Sequence, residues 1–99
     1  MAADTLNRLS TLIEEEVNSG QVRLDEKRLQ NIKQICKSSE NYVKEAFHLL
    51  RRYLAEDHAE IRWSCFLLIK ELFHCSHCFR ELLIEDINEY LLSSLNVVR

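Results

Sequence analysis

Apolar residues recur along this chain at the three- and four-residue spacing of amphipathic α-helices. In chain order the apolar stripes are Leu6, Leu9, Ile13 and Val17; Leu29, Ile32, Ile35 and Cys36; Val43, Ala46, Phe47, Leu50 and Leu54; and Ile61, Cys65, Leu68 and Leu72. Between Ile61 and Phe73 nearly every position is apolar. This predicts a central helix that neighbours cover on more than one side, with Trp63 in or near the core. The alternative is that Trp63 is an exposed anchor for a partner.

Turn-forming and capping residues separate these stripes. Gly20 can take the left-handed conformation that ends a helix, which places the first boundary after Asn18. Asp25 and Ser39 are suited to cap the second and third helices. The segment 75–77 interrupts the apolar helix, and the remaining pattern predicts a fifth helix around 79–84 and a sixth from Ile87.

The composition excludes sheet-rich folds. The chain has one glycine and no proline among 99 residues, whereas a sheet of this size needs several tight turns. We therefore predict an all-α fold, a right-handed α-superhelix of about six short helices in one domain over residues 1–99. The last stretch, 92–99, is still amphipathic. We thus expect the chain to be the amino-terminal part of a longer protein.

Charge is distributed unevenly along the chain. The net charge is −3, but residues 1–22 carry −3, residues 23–52 carry +4 and residues 53–99 carry −4. Within the basic middle, Lys44, His48, Arg51 and Arg52 share one outer face of the third helix at helical spacing. An acidic protein or a phosphate backbone would suit this face, and we predict a partner contact there. The alternative is that these four residues only form a solvated helix face. We also expect the run Glu14–Glu16 of the first helix to lie on a solvated face.

The strongest candidate for chemistry is the run from His74 to Cys78, with four possible zinc ligands in five residues. Neighbouring helical side chains diverge, so a structural site would need a second ligand pair, and the chain offers none at suitable spacing. A dithiol redox motif would follow a strand, not a helix. Phosphate-binding and hydrolase motifs are missing. We predict no enzyme, no catalytic or metal site and no cofactor.

Targeting signals are also missing from the sequence. The amino terminus lacks a basic start followed by an apolar stretch, and apolar runs are too short to span a membrane. Four cysteines without a secretory signal indicate free thiols in a reducing compartment. We expect an intracellular, soluble, monomeric domain without a membrane partner.

Several short segments together resemble a known family. They are Lys33 to Glu40, which contains Ile35-Cys36-Lys37-Ser38-Ser39; His58-Ala59-Glu60-Ile61-Arg62; Glu71-Leu72-Phe73; Ser76-His77; and Phe79-Arg80. In order and spacing they resemble the amino-terminal domain family of UV-stimulated scaffold protein A, across most of residues 5–95. Cys75 and Cys78 lie outside the family pattern. The resemblance implies a VHS/ENTH-like α-superhelix.

The resemblance also implies a function. It is that of a non-catalytic scaffold in transcription-coupled nucleotide excision repair, in the nucleus and on the chromosome. Expected partners are the Cockayne syndrome group A and B proteins and RNA polymerase II stalled at a lesion, and DNA-backbone contact is possible. The transcription factor H complex and a ubiquitin-specific protease would be recruited through regions absent from this chain.

Two other functions stay open at this point. A VHS- or ENTH-type endosomal adaptor shares the fold and would bind ubiquitin, sorting signals or acidic lipids. A zinc or redox module would depend on residues 74–78. The segments 35–39 and 58–62 favour the repair family over the endosomal adaptor.

Overall fold

The chain folds into consecutive α-helices joined by short corners. The computed structural model describes the backbone of residues 2–98 and the side chains of residues 3–89. Over residues 2–98 the helices are α1 (Ala2–Val17), α2 (Glu26–Ser38), α3 (Glu40–Leu54), α4 (Ala59–Cys75) and α5 (His77–Val98). No strand occurs in this part of the chain, so the predicted all-α class is confirmed.

The predicted helix boundaries are set by local hydrogen bonds. Gly20 has a φ of 71°, in the left-handed region that glycine adopts without strain. The Asp25 carboxylate accepts a hydrogen bond from the Arg28 N–H at 2.9 Å, and the Ser39 hydroxyl accepts one from the Asn41 N–H at 3.2 Å. Both caps satisfy amides that a helix leaves free at its first turn.

The core lies around α3, which packs against each of the other four helices. The predicted stripes supply most of it; the buried apolar side chains are Leu9, Ile13, Val17, Leu29, Ile32, Ile35, Cys36, Val43, Ala46, Phe47, Leu49, Leu50, Cys65, Leu68, Leu72 and Phe79. Ile61, predicted to belong to this core, is half-buried, and Leu54 is 43% exposed. Both lie near the corner between α3 and α4, where fewer helices cover them.

The carboxy-terminal part forms one helix where two were expected. α5 runs without interruption through residues 84–87, the predicted junction. Glu85 and Asp86 are compatible with a helix interior, and no glycine or proline interrupts the pattern there. Asp86, in this turn of α5, forms an ion pair with Arg51 of α3. No helix of the described residues has the length and apolarity needed to cross a membrane.

α4 is less completely covered than its composition predicts. Trp63 is 48% exposed and Phe66 is 52% exposed, so the expectation of a core tryptophan is wrong. The two rings stack with centroids 6.1 Å apart. The Trp63 indole N–H donates to the Val22 backbone carbonyl at 3.0 Å, which ties α4 to the α1–α2 connection. The exposed Trp63 indole thus links α4 to the α1–α2 connection by a hydrogen bond.

Glu16 is fully buried, which contradicts the expectation that the run Glu14–Glu16 is solvated. One carboxylate oxygen, Oε1, accepts from Arg28 Nη1 at 3.3 Å and from the Asp25 N–H at 3.2 Å. The other oxygen, Oε2, has no partner among the described residues. Glu16 therefore fastens the end of α1 to the start of α2.

We expect Arg28→Ala to lower the free energy of unfolding by about 2 kcal/mol, because it leaves a buried carboxylate with one fewer partner. Urea denaturation monitored by circular dichroism measures this loss. Lys27→Ala, at a neighbouring exposed position of the same helix, is the matched control and should change stability little. Equal losses for the two variants would contradict the role assigned to Glu16.

Burial raises the pKa of two core thiols. The Cys65 S–H donates to the Leu50 backbone carbonyl at 2.9 Å, and burial raises the Cys65 pKa to about 12. The pKa of Cys36 is also raised to about 12, first by burial and then by the nearby Cys75. Both thiols therefore keep their protons in the folded chain at pH values where unfolded thiols, with an ordinary pKa of 9.0, ionise.

We accordingly expect stability to fall by about 1–2 kcal/mol between about pH 8 and pH 9.5. Each thiol has a higher pKa in the folded chain than in the unfolded chain, so unfolding releases protons when the pH is above the unfolded pKa. The contribution of the thiols to stability is therefore fully present below the unfolded pKa and is lost as the pH rises toward the pKa of the folded chain. Urea denaturation at several pH values measures the slope. The decrease of the unfolding free energy with pH should be smaller in the double variant Cys36→Ala with Cys65→Ala. An unchanged decrease would show that the two thiols do not cause it.

Candidate partner-binding surface

α3 separates an apolar inner side from a charged outer side. The outer side holds the residues predicted to meet a partner, here called the basic face: Lys44, His48, Arg51 and Arg52. All four are exposed, and their spacing places them along one side of the helix. The apolar residues between them, Phe47 and Leu50, are buried and fix the rotation of α3. The structure thus brings the four predicted residues together; their role in binding stays a prediction.

Arg51 lies at the border between α3 and α5. Its Nη2 is 3.2 Å from Asp86 Oδ1, and its side chain is 61% exposed. An ion pair this open to water contributes little to stability, and the guanidinium keeps donors available to a partner. Below it, Phe79 and Leu83 line a small cavity of about 40 Å³ between the helices. Arg51 thus lies beside apolar side chains and one carboxylate, with most of its side chain open to solvent.

Lys44 faces a wider groove between the first turns of α3 and α5. This groove has a volume of about 450 Å³ and also contains Glu40, Glu81 and Glu85. Three carboxylates therefore line the same groove as Lys44. The positive potential expected at Lys44 from the sequence alone is reduced by these neighbours.

His48 and Arg52 complete the basic face. The His48 ring meets the Phe47 ring edge-on with centroids 5.8 Å apart, so its imidazole is positioned by a core residue. Among residues 3–89, Arg52 forms no ion pair. Both side chains are open to solvent.

The acidic side of α5 is a part of this surface that the sequence analysis missed. Glu81 and Glu85 are four residues apart, and Asp86 follows, so they occupy adjacent positions on the helix. The excess of negative charge in residues 53–99 was a signal for it, but only packing shows that α5 lies beside α3. The surface is therefore a basic ridge with an acidic border.

The chain matches one known domain family over most of its length. A family model described as the UVSSA N-terminal domain matches residues 5–97. The chain belongs to the UVSSA N-terminal domain family. The segments that suggested this from sequence lie at positions that determine the fold: Cys36 is buried, and Ser39 caps α3. Arg62 donates to the Glu56 backbone carbonyl at 2.7 Å and braces the start of α4.

Curated relatives of this UVSSA N-terminal domain come from animals and plants. The chain is 48% identical over 84 residues to UV-stimulated scaffold protein A of Rattus norvegicus and 40% identical over 85 residues to that of Danio rerio. It is 31% identical over 84 residues to the UV-stimulated scaffold protein A homolog of Arabidopsis thaliana. These matches cover 85–86% of this chain and 12–13% of the relatives.

The run His74–Cys78 falls at the corner between α4 and α5 of the UVSSA N-terminal domain. The His77 Nε2 contacts Glu81 Oε1 one turn along α5, and Cys75 is exposed. Burial raises the pKa of Cys78, and the neighbouring Glu40 raises it further. Across the described residues, no three His, Cys, Asp or Glu side chains are grouped so that they could hold a metal ion. The run thus forms a polar helix corner.

Proposed function

We propose that this domain is a non-catalytic scaffold module of transcription-coupled nucleotide excision repair. The observation that carries the proposal is membership of the UVSSA N-terminal domain family, whose curated relatives are named UV-stimulated scaffold protein A. In this role the domain acts in the nucleus, on the chromosome, at RNA polymerase II stalled by a UV lesion. Its mechanism is binding: rigid helices present a surface, and no bond is made or broken.

The proposed docking surface is the basic face of α3. An acidic surface of the Cockayne syndrome group A protein would pair with its cations, and the acidic border of α5 would favour one orientation. The Cockayne syndrome group B protein and the polymerase belong to the same assembly. Contact with the DNA backbone would use the same cations. Recruitment of the transcription factor H complex and of a ubiquitin-specific protease would use parts of the relatives that this chain does not span.

Binding rather than catalysis also agrees with the acidities of the core thiols. Their raised pKa values keep Cys36 and Cys65 protonated at neutral pH, and a protonated thiol is a poor nucleophile. Both also lie in the core, with almost no surface exposed to solvent.

The alternative function is that of an endosomal adaptor, and the exposed aromatic pair Trp63 and Phe66 supports it. Trp63 and Phe66 stack at the surface of α4, and aromatic side chains are common anchors in protein interfaces. Ubiquitin or a sorting signal docking there would leave the basic face free for acidic lipid headgroups. This function predicts a different ligand and a different contact surface.

Titration of the whole chain with purified Cockayne syndrome group A protein separates these functions. Ubiquitin and vesicles containing phosphatidylserine serve as parallel titrants, and circular dichroism confirms that each sample is helical. We expect saturable binding to the group A protein alone. Binding to ubiquitin or vesicles without binding to the group A protein would favour the endosomal adaptor and overturn the repair proposal.

We expect Lys44→Glu with Arg52→Glu to weaken that binding by about tenfold or more, because charge reversal places like charges against an acidic partner. The double variant avoids Arg51, whose ion pair with Asp86 would otherwise be lost. The matched control is Lys27→Glu with Lys37→Glu, the same change of charge at exposed positions of α2. Equal weakening by both pairs would indicate a general effect of net charge and contradict a contact at the basic face.

A further inference from the structure

The outer side of α4 carries a row of residues that stays exposed in the fold, here called the outer stripe. It consists of Ala59, Trp63, Phe66, Lys70 and His74, which follow one another at helical spacing and are all exposed. Trp63 and Phe66 stack on each other near the middle of the outer stripe. Adjacent exposed aromatic side chains on one helix are typical of an interaction surface.

The aromatic centre of the outer stripe is fixed within the chain itself. The Trp63 indole N–H donates to the Val22 carbonyl at 3.0 Å, and the Phe66 ring lies against the Trp63 ring. Val22 is 76% exposed and lines the same surface hollow as Trp63. Side chains that are already held in place lose little conformational entropy when a partner covers them, so this apolar surface is suited to an interface.

Opposite charges lie towards the two ends of the outer stripe. Glu60 lines a hollow of about 220 Å³ together with Trp63, near the start of α4. Lys70 lines a second hollow, of about 230 Å³, together with Leu67. Among residues 3–89, neither Glu60 nor Lys70 takes part in an ion pair. Both charges are therefore available to a partner.

The other charged residues of the second hollow balance one another. Glu71 is paired with Lys33 of α2 at 3.1 Å. Arg23 and Glu26 contribute one charge of each sign. Lys70 is therefore the unpaired cation of α4 in this hollow. Along its exposed side, α4 presents a carboxylate, then an aromatic centre, then an ammonium group.

We propose that two copies of this chain associate through the outer stripe, with their α4 helices antiparallel. A fitting partner must place a cation opposite Glu60, apolar side chains at the centre and a carboxylate opposite Lys70. A second α4 running in the opposite direction presents its groups in this order. A two-fold axis near Phe66 would put Glu60 close to the partner's Lys70, and the symmetry would repeat that pair on the other side of the axis.

The contact is short, so we expect a weak dimer. From Ala59 to His74 the helix rises by about 22 Å, and interfaces of small area give transient complexes. The monomer expected from the sequence is then the form at low concentration. No residue of the basic face belongs to the outer stripe, so the dimer would carry two basic faces.

Sedimentation velocity of the whole chain at about 10–500 μM tests this proposal, because transient dimers form in this range. A reductant is included, since Cys75 is exposed and must not link chains covalently. We expect the average mass to rise with concentration from that of one chain, 11.8 kDa, towards that of two. Purified ubiquitin, added to the parent chain in a separate series, tests the other occupant of this surface.

Charge exchange between Glu60 and Lys70 tests the orientation. Glu60→Lys and Lys70→Glu should each raise the dimer Kd by about tenfold or more, because each places like charges together twice across the interface. The double variant should return the Kd to within about threefold of the parent value, because it restores both pairs. The single variants change the net charge of the chain in opposite directions, so a general charge effect would move the two Kd values in opposite directions.

Phe66→Asp should abolish the dimer, since it puts a charge at the two-fold axis. The matched control is Ile84→Asp on α5, because Phe66 and Ile84 are both 52% exposed. Both positions are at the surface, so both variants should keep the helical circular dichroism of the parent chain.

Four results would overturn the proposal. The first is the mass of a single chain over the whole concentration range, whether or not ubiquitin binds. The second is a pair of Kd values that move in opposite directions in the two single charge variants. The third is a double charge variant that associates no better than the single ones. The fourth is a dimer that survives Phe66→Asp but is lost in Ile84→Asp.

Discussion

Replacing Phe79 by alanine will lower the free energy of unfolding by about 3–5 kcal/mol. Phe79 is the aromatic residue through which α5 enters the core, with 1% of its surface exposed. Its ring meets that of Phe47 edge-on, with centroids 5.7 Å apart and planes at 74°. Removing the ring deletes this contact and enlarges the small cavity beside Leu83, which the rigid helices cannot close.

Phe66→Ala is the matched control for Phe79, since it removes the same side chain from a surface position. Phe66 is 52% exposed and contacts chiefly the Trp63 ring, so its loss should cost about 1 kcal/mol or less. Thermal or urea denaturation of both variants measures the difference. Similar losses for the two would mean that α5 is not anchored through Phe79.

Leu68→Ala is expected to cost about 2–5 kcal/mol. Leu68 is fully buried on α4, on the same inner side as Cys65 and Leu72, and α4 contacts each of the other helices. The change removes well-packed atoms from the middle of the molecule, where several helices would have to move together to fill the space. Urea denaturation followed at the helical circular dichroism band measures the loss.

Leu54→Ala provides the comparison for Leu68, because the same atoms are removed from a leucine that is 43% exposed. Its loss should be well under half that of Leu68. A loss below about 0.5 kcal/mol for Leu68→Ala would contradict a central position for α4.

Periodicity predicts the elements of this fold well because most of the core comes from regular stripes. The α2 stripe, from Leu29 to Cys36, is entirely buried as predicted. Asp25 and Ser39 were identifiable as caps because a short polar side chain before an amphipathic run has a specific partner, the first free amides. Gly20 was identifiable for a similar reason: few other residues tolerate its φ.

The misplaced residues depend on how neighbouring helices cover one another, which a single sequence does not encode locally. Glu16 looks like one of three solvated acids, yet Arg28 and the Asp25 amide meet it from the next helix. Trp63 looks like a core residue, yet the outer side of α4 is open and its indole bonds to a loop carbonyl. The distribution of charge along the sequence also does not show which helix packs beside α5.

The basic face itself could be predicted, but its electrostatic surroundings could not. Helical spacing is enough to place Lys44, His48, Arg51 and Arg52 on one side of α3. The pairing of Arg51 with Asp86, and the carboxylates around Lys44, depend on contacts between residues far apart in the chain. The electrostatic potential of a basic patch predicted from sequence can be judged only once the charged residues packed beside it are known.

A charge exchange at the α3–α5 border tests most directly whether this domain docks through the basic face. Arg51→Asp with Asp86→Arg preserves the net charge and an ion pair at the same place, while it moves the cation from α3 to α5. The measurement is the Kd for the Cockayne syndrome group A protein, compared between the parent chain and the exchanged variant at equal helicity. We expect saturable binding by the parent chain and clearly weaker binding by the variant. Equal affinities, or no binding by the parent chain, would contradict it.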